Sequence, residues 1–198
     1  KKAPPGQWTQ GLSDAVFTLA EHKIGALIMI ERMEGVEEYV TSGQNLEARP
    51  GPELLTSIFQ KESPLHDGAI LIREGHIHRV ACYLPLSSEE GLPKEWGTRH
   101  RAAMGLSERC DTAVVVVSEE RGDVTLVVER KIFHLATAGV MNQMLLDALR
   151  PASREPGPWK EKVRSLFVNQ CRAKYGTFFL VLIFWLLLAG QQDFEVAF

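Results

Sequence analysis

The sequence predicts an α/β domain: a mixed, mostly antiparallel central sheet flanked by helices on both faces. Three observations predict it. Short apolar runs, IGALIMIER from Ile24 and TAVVVV from Thr112, read as strands buried on both sides. Turn formers split longer runs into hairpins, at Glu74-Gly75 within AILIREGHIHRVACYLPL and at Arg121-Gly122-Asp123 within TAVVVVSEERGDVTLVVERK. Segments with helical spacing interleave with these strands, which requires helices packed onto a sheet.

In chain order, residues 1–11 read as an irregular lead-in rich in Pro and Gly, and residues 12–149 as the domain itself. Ser13 is placed to cap a helix running to about Lys23, with Ala15, Val16, Leu19 and Ala20 on one face. GVEEYVTSGQ reads as a strand or turn leading back from the first buried strand. In RPGPELLTSIF, Pro52 suits a first helical turn, and Leu54, Leu55 and Ile58 form the inward face. Thr98 is a candidate N-cap for TRHRAAMGLSE. Residues 137–149 predict a closing helix with Val140, Met144, Leu145 and Ala148 inward.

Charge is unevenly spread. Residues 1–149 carry 15 Lys+Arg against 21 Asp+Glu, a net of −6, whereas residues 150–174 carry seven basic residues against two acids. An acidic body opposes nucleic-acid binding, which wants a basic face. Cys82, Cys110 and Cys171 show no metal-ligand spacing, as expected of free thiols in a reducing compartment. The opening KKAPPGQW has no initiator Met, which is expected of a fragment. RPASREPGPW begins a basic linker, residues 150–174. Residues 175–198 are apolar all round, with no charge between Lys174 and Asp193. The uninterrupted run Phe178–Ala189 is shorter than the ~20 residues a bilayer crossing needs. Together with the basic flank, the segment is nevertheless expected to associate with a membrane, spanning it rather than lying on it, with the domain on the cytoplasmic side.

Two stretches carry candidate chemistry. In LHDGAILI, Asp67-Gly68 is either a loop entering a strand or a carboxylate held at a strand edge, able to bind a divalent cation or take a proton from a sugar hydroxyl. Gly68 and Ala69 would leave room for a ligand, and His66 is a second candidate ligand. In GTRHRAAMGLSE, Arg99, His100 and Arg101 stand at a helix N-terminus, where the partial positive charge of the helix disfavours cations. Either the turn is solvated, or Thr98, the backbone N–H groups and two guanidinium forks cradle a polyphosphate. A third stretch, VSEERG, places Ser118, Glu119 and Glu120 at a strand end. It is a charged hairpin tip or, functionally, the completion of a Mg²⁺ or Mn²⁺ site.

From about Leu19 to Val128, with GALIMIE, SPLHDGAILI, ACYLPLS, GTRHRAAMGLSE and VVVSEERG in order, the chain resembles the bacterial and archaeal diadenylate cyclases, especially their membrane-bound class. The resemblance implies that two ATP are joined into cyclic di-AMP with release of two pyrophosphates, by two copies facing each other. It implies that Asp67 receives or orients the ribose 3′-hydroxyl proton, and that Gly68 and Ala69 shape the pocket. Thr98, Arg99, His100 and Arg101 would hold the triphosphate, and Leu84 would recognise adenine through its backbone. Ser118 and Glu120 would lie near the phosphates and the metal, Mn²⁺ or Mg²⁺, which His66 and Asp67 would also touch. The tail weakly resembles the anchor of YbbR-type regulators. The competing expectation is a binding module that holds ATP or a cyclic dinucleotide without turnover. A DNA-scanning role is opposed by the acidic body.

Overall fold

The structure, a computed structural model, describes residues 5–93 and 96–150. The expected basic linker and apolar tail lie outside the described residues. Among the described residues no helix is long and apolar enough to cross a membrane.

Seven strands among these residues form one sheet. They are β1 (Ala26–Ile30), β2 (Gln44–Ala48), β3 (Ala69–Arg73), β4 (His76–Cys82), β5 (Ala113–Val117), β6 (Val124–Val128) and β7 (Lys131–Leu135), arranged in the order β2-β4-β3-β1-β5-β6-β7. Only β1 and β3 pair in parallel, and the other neighbours are antiparallel. This is the mixed, mostly antiparallel sheet that the apolar runs predict. β1 and β5 are buried at every position, because both faces are covered. Ala26, Ile28 and Ile30 of β1 and Ala113, Val115 and Val117 of β5 join one core. Leu27 and Met29, with Val114 and Val116, join the other, as the alternation of a strand demands.

Helices cover the two faces unequally. The first core is capped by α1 (Pro5–Glu21), α2 (Pro52–Phe59) and α4 (Ala138–Leu149), through Leu12, Leu19, Leu55, Ile58, Met141 and Leu145. The second is capped by α3 (Thr98–Ser107), through Ala102, Ala103, Met104 and Leu106. Each fully buried Leu or Ile contributes about 1.5–3 kcal/mol of transfer free energy.

Three local expectations need correction. The first helix begins at Pro5, within the expected lead-in. Ser13 is not its cap but a buried mid-helix residue whose hydroxyl donates to the Thr9 carbonyl at 2.8 Å. In α4 Leu145 and Met144 pack on the core as expected, joined by Met141, whereas Val140 is 45% exposed. Its cap is Thr137, whose side chain accepts from the Val140 N–H, and this sets the helix phase. The two sheet edges, β2 and β7, do not stand out in the sequence because each is half-exposed and lacks an apolar run. The turn into β7 is also unmarked: Glu129 and Arg130 take positive φ without a glycine.

Candidate functional site

Topology gathers the candidate residues at one end of the sheet. Because β1 and β3 run in parallel, their leading residues, Gly25 and Asp67-Gly68, emerge on the same side. The antiparallel partners bring their trailing ends there. Ala69 pairs with Cys82, so Tyr83 and Leu84 follow, and Ala26 pairs with Val117, so Ser118 and Glu119 follow. The first turn of α3 closes the group. The result is a cleft of about 820 Å³ whose walls include His66, Asp67, Gly68, Leu84, Thr98 and Arg99. Those six are sequence-predicted site residues, drawn from three separate segments of the chain.

The turn before β3 has a structural cause. Gly68 sits at φ +110°, and a Cβ there would lie 2.9 Å from Ala81 C and Cys82 O. The backbone of β4 therefore requires glycine here, where the β3–β4 register shifts, and Gly68 also lines the cleft. Ala69 is fully buried in the α3-side core and does not line the cleft. Asp67 is exposed at the cleft wall and accepts a 3.4 Å hydrogen bond from the Tyr83 hydroxyl. Tyr83 is itself pinned by bridge hydrogen bonds with Thr41. His66 Nδ1 lies 2.7 Å from the Ser63 carbonyl, which can only accept. Nδ1 therefore carries the proton, and in the neutral ring the Nε2 lone pair is left for a ligand.

At α3 the N-cap is Gly97, not Thr98, which is the first helical residue. Gly97 makes no side-chain cap bond, and the first turn holds no acid. The three residues of the RHR motif have different fates. Arg99 reaches into the cleft and pairs with Glu119 at 2.8 Å. The Arg99 guanidinium holds the Glu119 carboxyl below the usual carboxylate range. His100 turns inward. It is 5% exposed and stacks on Trp96 with ring centroids 5.1 Å apart. Burial pushes its pKa down to about 4, so at neutral pH it adds no charge to a phosphate cradle. Arg101 contributes through its backbone. Its carbonyl accepts from the Ser87 N–H at 2.9 Å, tying α3 to the loop that carries Leu84 and Leu86. Gly105 lets that loop approach, since a Cβ there would meet the Pro85 carbonyl oxygen at 2.2 Å.

A smaller cavity of about 70 Å³ adjoins, and Thr98, Arg99 and Glu119 line both spaces. His100, Ser118 and Glu120 line only the smaller one of the two. The expected metal set of His66, Asp67 and Glu120 is therefore not gathered in one cleft. Among the described residues no group of three or more His, Cys, Asp or Glu side chains is placed to hold a metal. His66 and Asp67 both line the larger cleft, and each is of a donor type that a divalent ion accepts beside phosphate oxygens and water.

Sequence reading did not single out Gly25, Lys61 and Tyr83 as cleft residues, and it offered Glu119 only as a hairpin-tip or metal-site acid. Strand order brings Gly25, Tyr83 and Glu119 to the cleft, and no local pattern marks that pairing.

Residues 13–132 match the family described as "DisA bacterial checkpoint controller nucleotide-binding", the DAC domain. The chain belongs to this family. It is 38% identical over 146 residues to cyclic di-AMP synthase CdaA of Bacillus subtilis, covering 74% of this chain and 54% of that protein. It is 42% identical over 131 residues to a diadenylate cyclase of Listeria monocytogenes, covering 66% and 48%. The crystal structure of a double mutant of DacA from Staphylococcus aureus superposes with a TM-score of 0.69 at 36% identity, covering 73% of this chain and 97% of that one. The chain thus spans about half the length of the curated relatives it matches.

Proposed function

We propose that the protein is a diadenylate cyclase that condenses two ATP into cyclic di-AMP and two pyrophosphates. The observation that carries this reading is the cleft in which Asp67 and Arg99, one from each family motif, line the same space. The names of the relatives supply the product class. In nucleotidyl transfer a protein mainly positions an in-line attack and neutralises charge. Arg99 and the uncapped N–H groups of α3 would hold the triphosphate, and Leu84 would hold adenine through its backbone. Asp67 would accept or orient the proton of the attacking 3′-hydroxyl, with the Tyr83 hydroxyl fixing its carboxylate. Ser118 would sit beside the phosphates from the smaller cavity. Glu120 would reach the metal site only through substrate oxygens. His66 and Asp67 would hold Mn²⁺ or Mg²⁺, and that ion supplies polarisation of the α-phosphate when bound. One cradle binds one ATP, so the second must come from a facing copy, which makes a two-fold dimer the unit of turnover.

The same reading assigns residues 12–149 to catalysis, 150–174 to a basic linker and 175–198 to membrane association, with the catalytic domain cytoplasmic and a YbbR-type protein as a regulatory partner. The apolar stretch without charge between Lys174 and Asp193, after a basic flank, supports the membrane part. Incubating the full chain with ATP and Mn²⁺ and analysing the products by mass spectrometry tests the activity. Cyclic di-AMP from the native chain and none from Asp67→Asn is the expected result. No cyclic dinucleotide from either, with ATP bound, would favour a binding module instead.

A further inference from the structure

Arg99 lies in a slot built by two residues to which the family resemblance assigns no role. On one side is Gly25, the residue before β1. A Cβ at this position would stand 2.5 Å from Arg99 Nη1, 2.9 Å from Arg99 Cζ and 3.0 Å from Glu119 Cβ. Any other residue would therefore push the guanidinium aside. On the other side Glu119 Oε2 accepts from Arg99 Nη1 at 2.8 Å. The Ala26–Val117 pairing between β1 and β5 fixes the two sides relative to each other.

The slot leaves the arginine usable. A guanidinium has five N–H donors in a rigid fork, so one bond from Nη1 to a carboxylate leaves donors over, and Arg99 lines the cleft. Glu119 suits this task because its side-chain oxygen accepts directly from one edge of the fork. Arg99 side-chain exposure is 24%, so its long stem is confined and the carboxylate decides where the head points.

We infer that Gly25 and Glu119 are positioning residues that orient the Arg99 guanidinium toward the nucleotide triphosphate, Gly25 by leaving room for it and Glu119 by anchoring one edge of its fork. This rests on the reading of Arg99 as the triphosphate ligand. It differs from a metal role for Glu119, in which the carboxylate would act independently of Arg99.

The test uses the full chain and the variants Glu119→Ala, Glu119→Gln, Gly25→Ala and Arg99→Ala, with folding checked by thermal melting. Affinity is read with 3′-deoxyATP, which lacks the attacking hydroxyl, and turnover with ATP and Mn²⁺. Misplacing one positioning group costs roughly 10- to 100-fold in kcat/KM, and that loss is expected for Glu119→Ala and Gly25→Ala. The Kd for 3′-deoxyATP should rise at least roughly fivefold in both, while Glu119→Gln, whose amide oxygen accepts the same bond, should stay within about threefold of native. In Arg99→Ala protein, adding Glu119→Ala should leave Kd unchanged, since the anchor then has nothing to orient. Additive losses in that double variant, native affinity in Glu119→Ala, or a Gln variant as poor as Ala with an altered Mn²⁺ requirement would each overturn the inference. If the native chain yields no cyclic di-AMP, the proposed activity fails by itself, and the affinity series still decides whether the slot orients Arg99.

Discussion

Two arginines in this molecule are buried to a similar degree and used in opposite ways. Arg73 ends β3 and spends its fork on the protein. Its Nε and Nη2 donate to both oxygens of Glu31, at 2.8 and 2.7 Å, and Nη2 also meets Glu37. Those carboxylates raise the pKa of Arg73, and its hydrogen bond lowers that of Glu37. Arg99, at the opposite end of the sheet from the β3 terminus, makes one ion pair among the described residues and lines an 820 Å³ cleft. Side-chain exposures of 29% and 24% do not separate the two, but the number of committed donors does. A guanidinium with Nε and Nη2 committed to carboxylates is structural, and one held by a single edge keeps donors for a ligand.

The largest expected effect breaks the chemistry and keeps both arginines. Asp67→Asn should lower cyclic di-AMP formation by about 10²- to 10⁴-fold, measured by product mass spectrometry, because the proton acceptor is gone. Arg99→Ala comes next. It should lower kcat/KM by about 10²- to 10³-fold, as removal of a charge-stabilising donor does, with a melting temperature within about 2 °C of native. Arg73→Ala should do the reverse. Leaving Glu31 without its partner, at 16% side-chain exposure, should cost about 1–3 kcal/mol in chemical denaturation, with kcat/KM per folded molecule unchanged. If Arg73→Ala abolished turnover at full stability, the contrast would fail.

A smaller effect sharpens the comparison by testing the residue beside Arg99. Burial pushes the folded pKa of His100 down to about 4, below the ordinary histidine value of 6.5. Between those values the unfolded chain binds a proton that the folded one refuses, so stability rises with pH there. The contribution is complete above pH 6.5 and is lost as pH falls toward 4, amounting to about 2–3 kcal/mol over the window. In urea titrations His100→Phe should flatten this slope. An unchanged slope would mean that His100 is not the buried neutral group described.

These contrasts also mark what the sequence made legible. The central strands were readable because β1 and β5 are apolar on both faces, and the hairpin at Glu74-Gly75 because its turn chemistry is explicit. The edges β2 and β7 were not, since exposure removes the pattern that betrays a strand. At the site, Asp67 and Arg99 were legible from motif and family resemblance, and the cleft unites them. RHR read as one basic knot, but a helix turns successive side chains by about 100°, so His100 points into the core beside Trp96 while Arg99 meets the cleft. Glu119 looked like one acid of a solvated tip. Its pairing with Arg99 spans twenty residues and depends on the β1–β5 register, which no local pattern encodes.

The central claim divides the labour in one cleft, with Arg99 binding the nucleotide and Asp67 acting on it. Calorimetric titration with 3′-deoxyATP tests it most directly. Asp67→Asn should bind within about threefold of native and Arg99→Ala at least about tenfold more weakly, the loss of a charged hydrogen bond. Equal affinity in Arg99→Ala and native protein would contradict it.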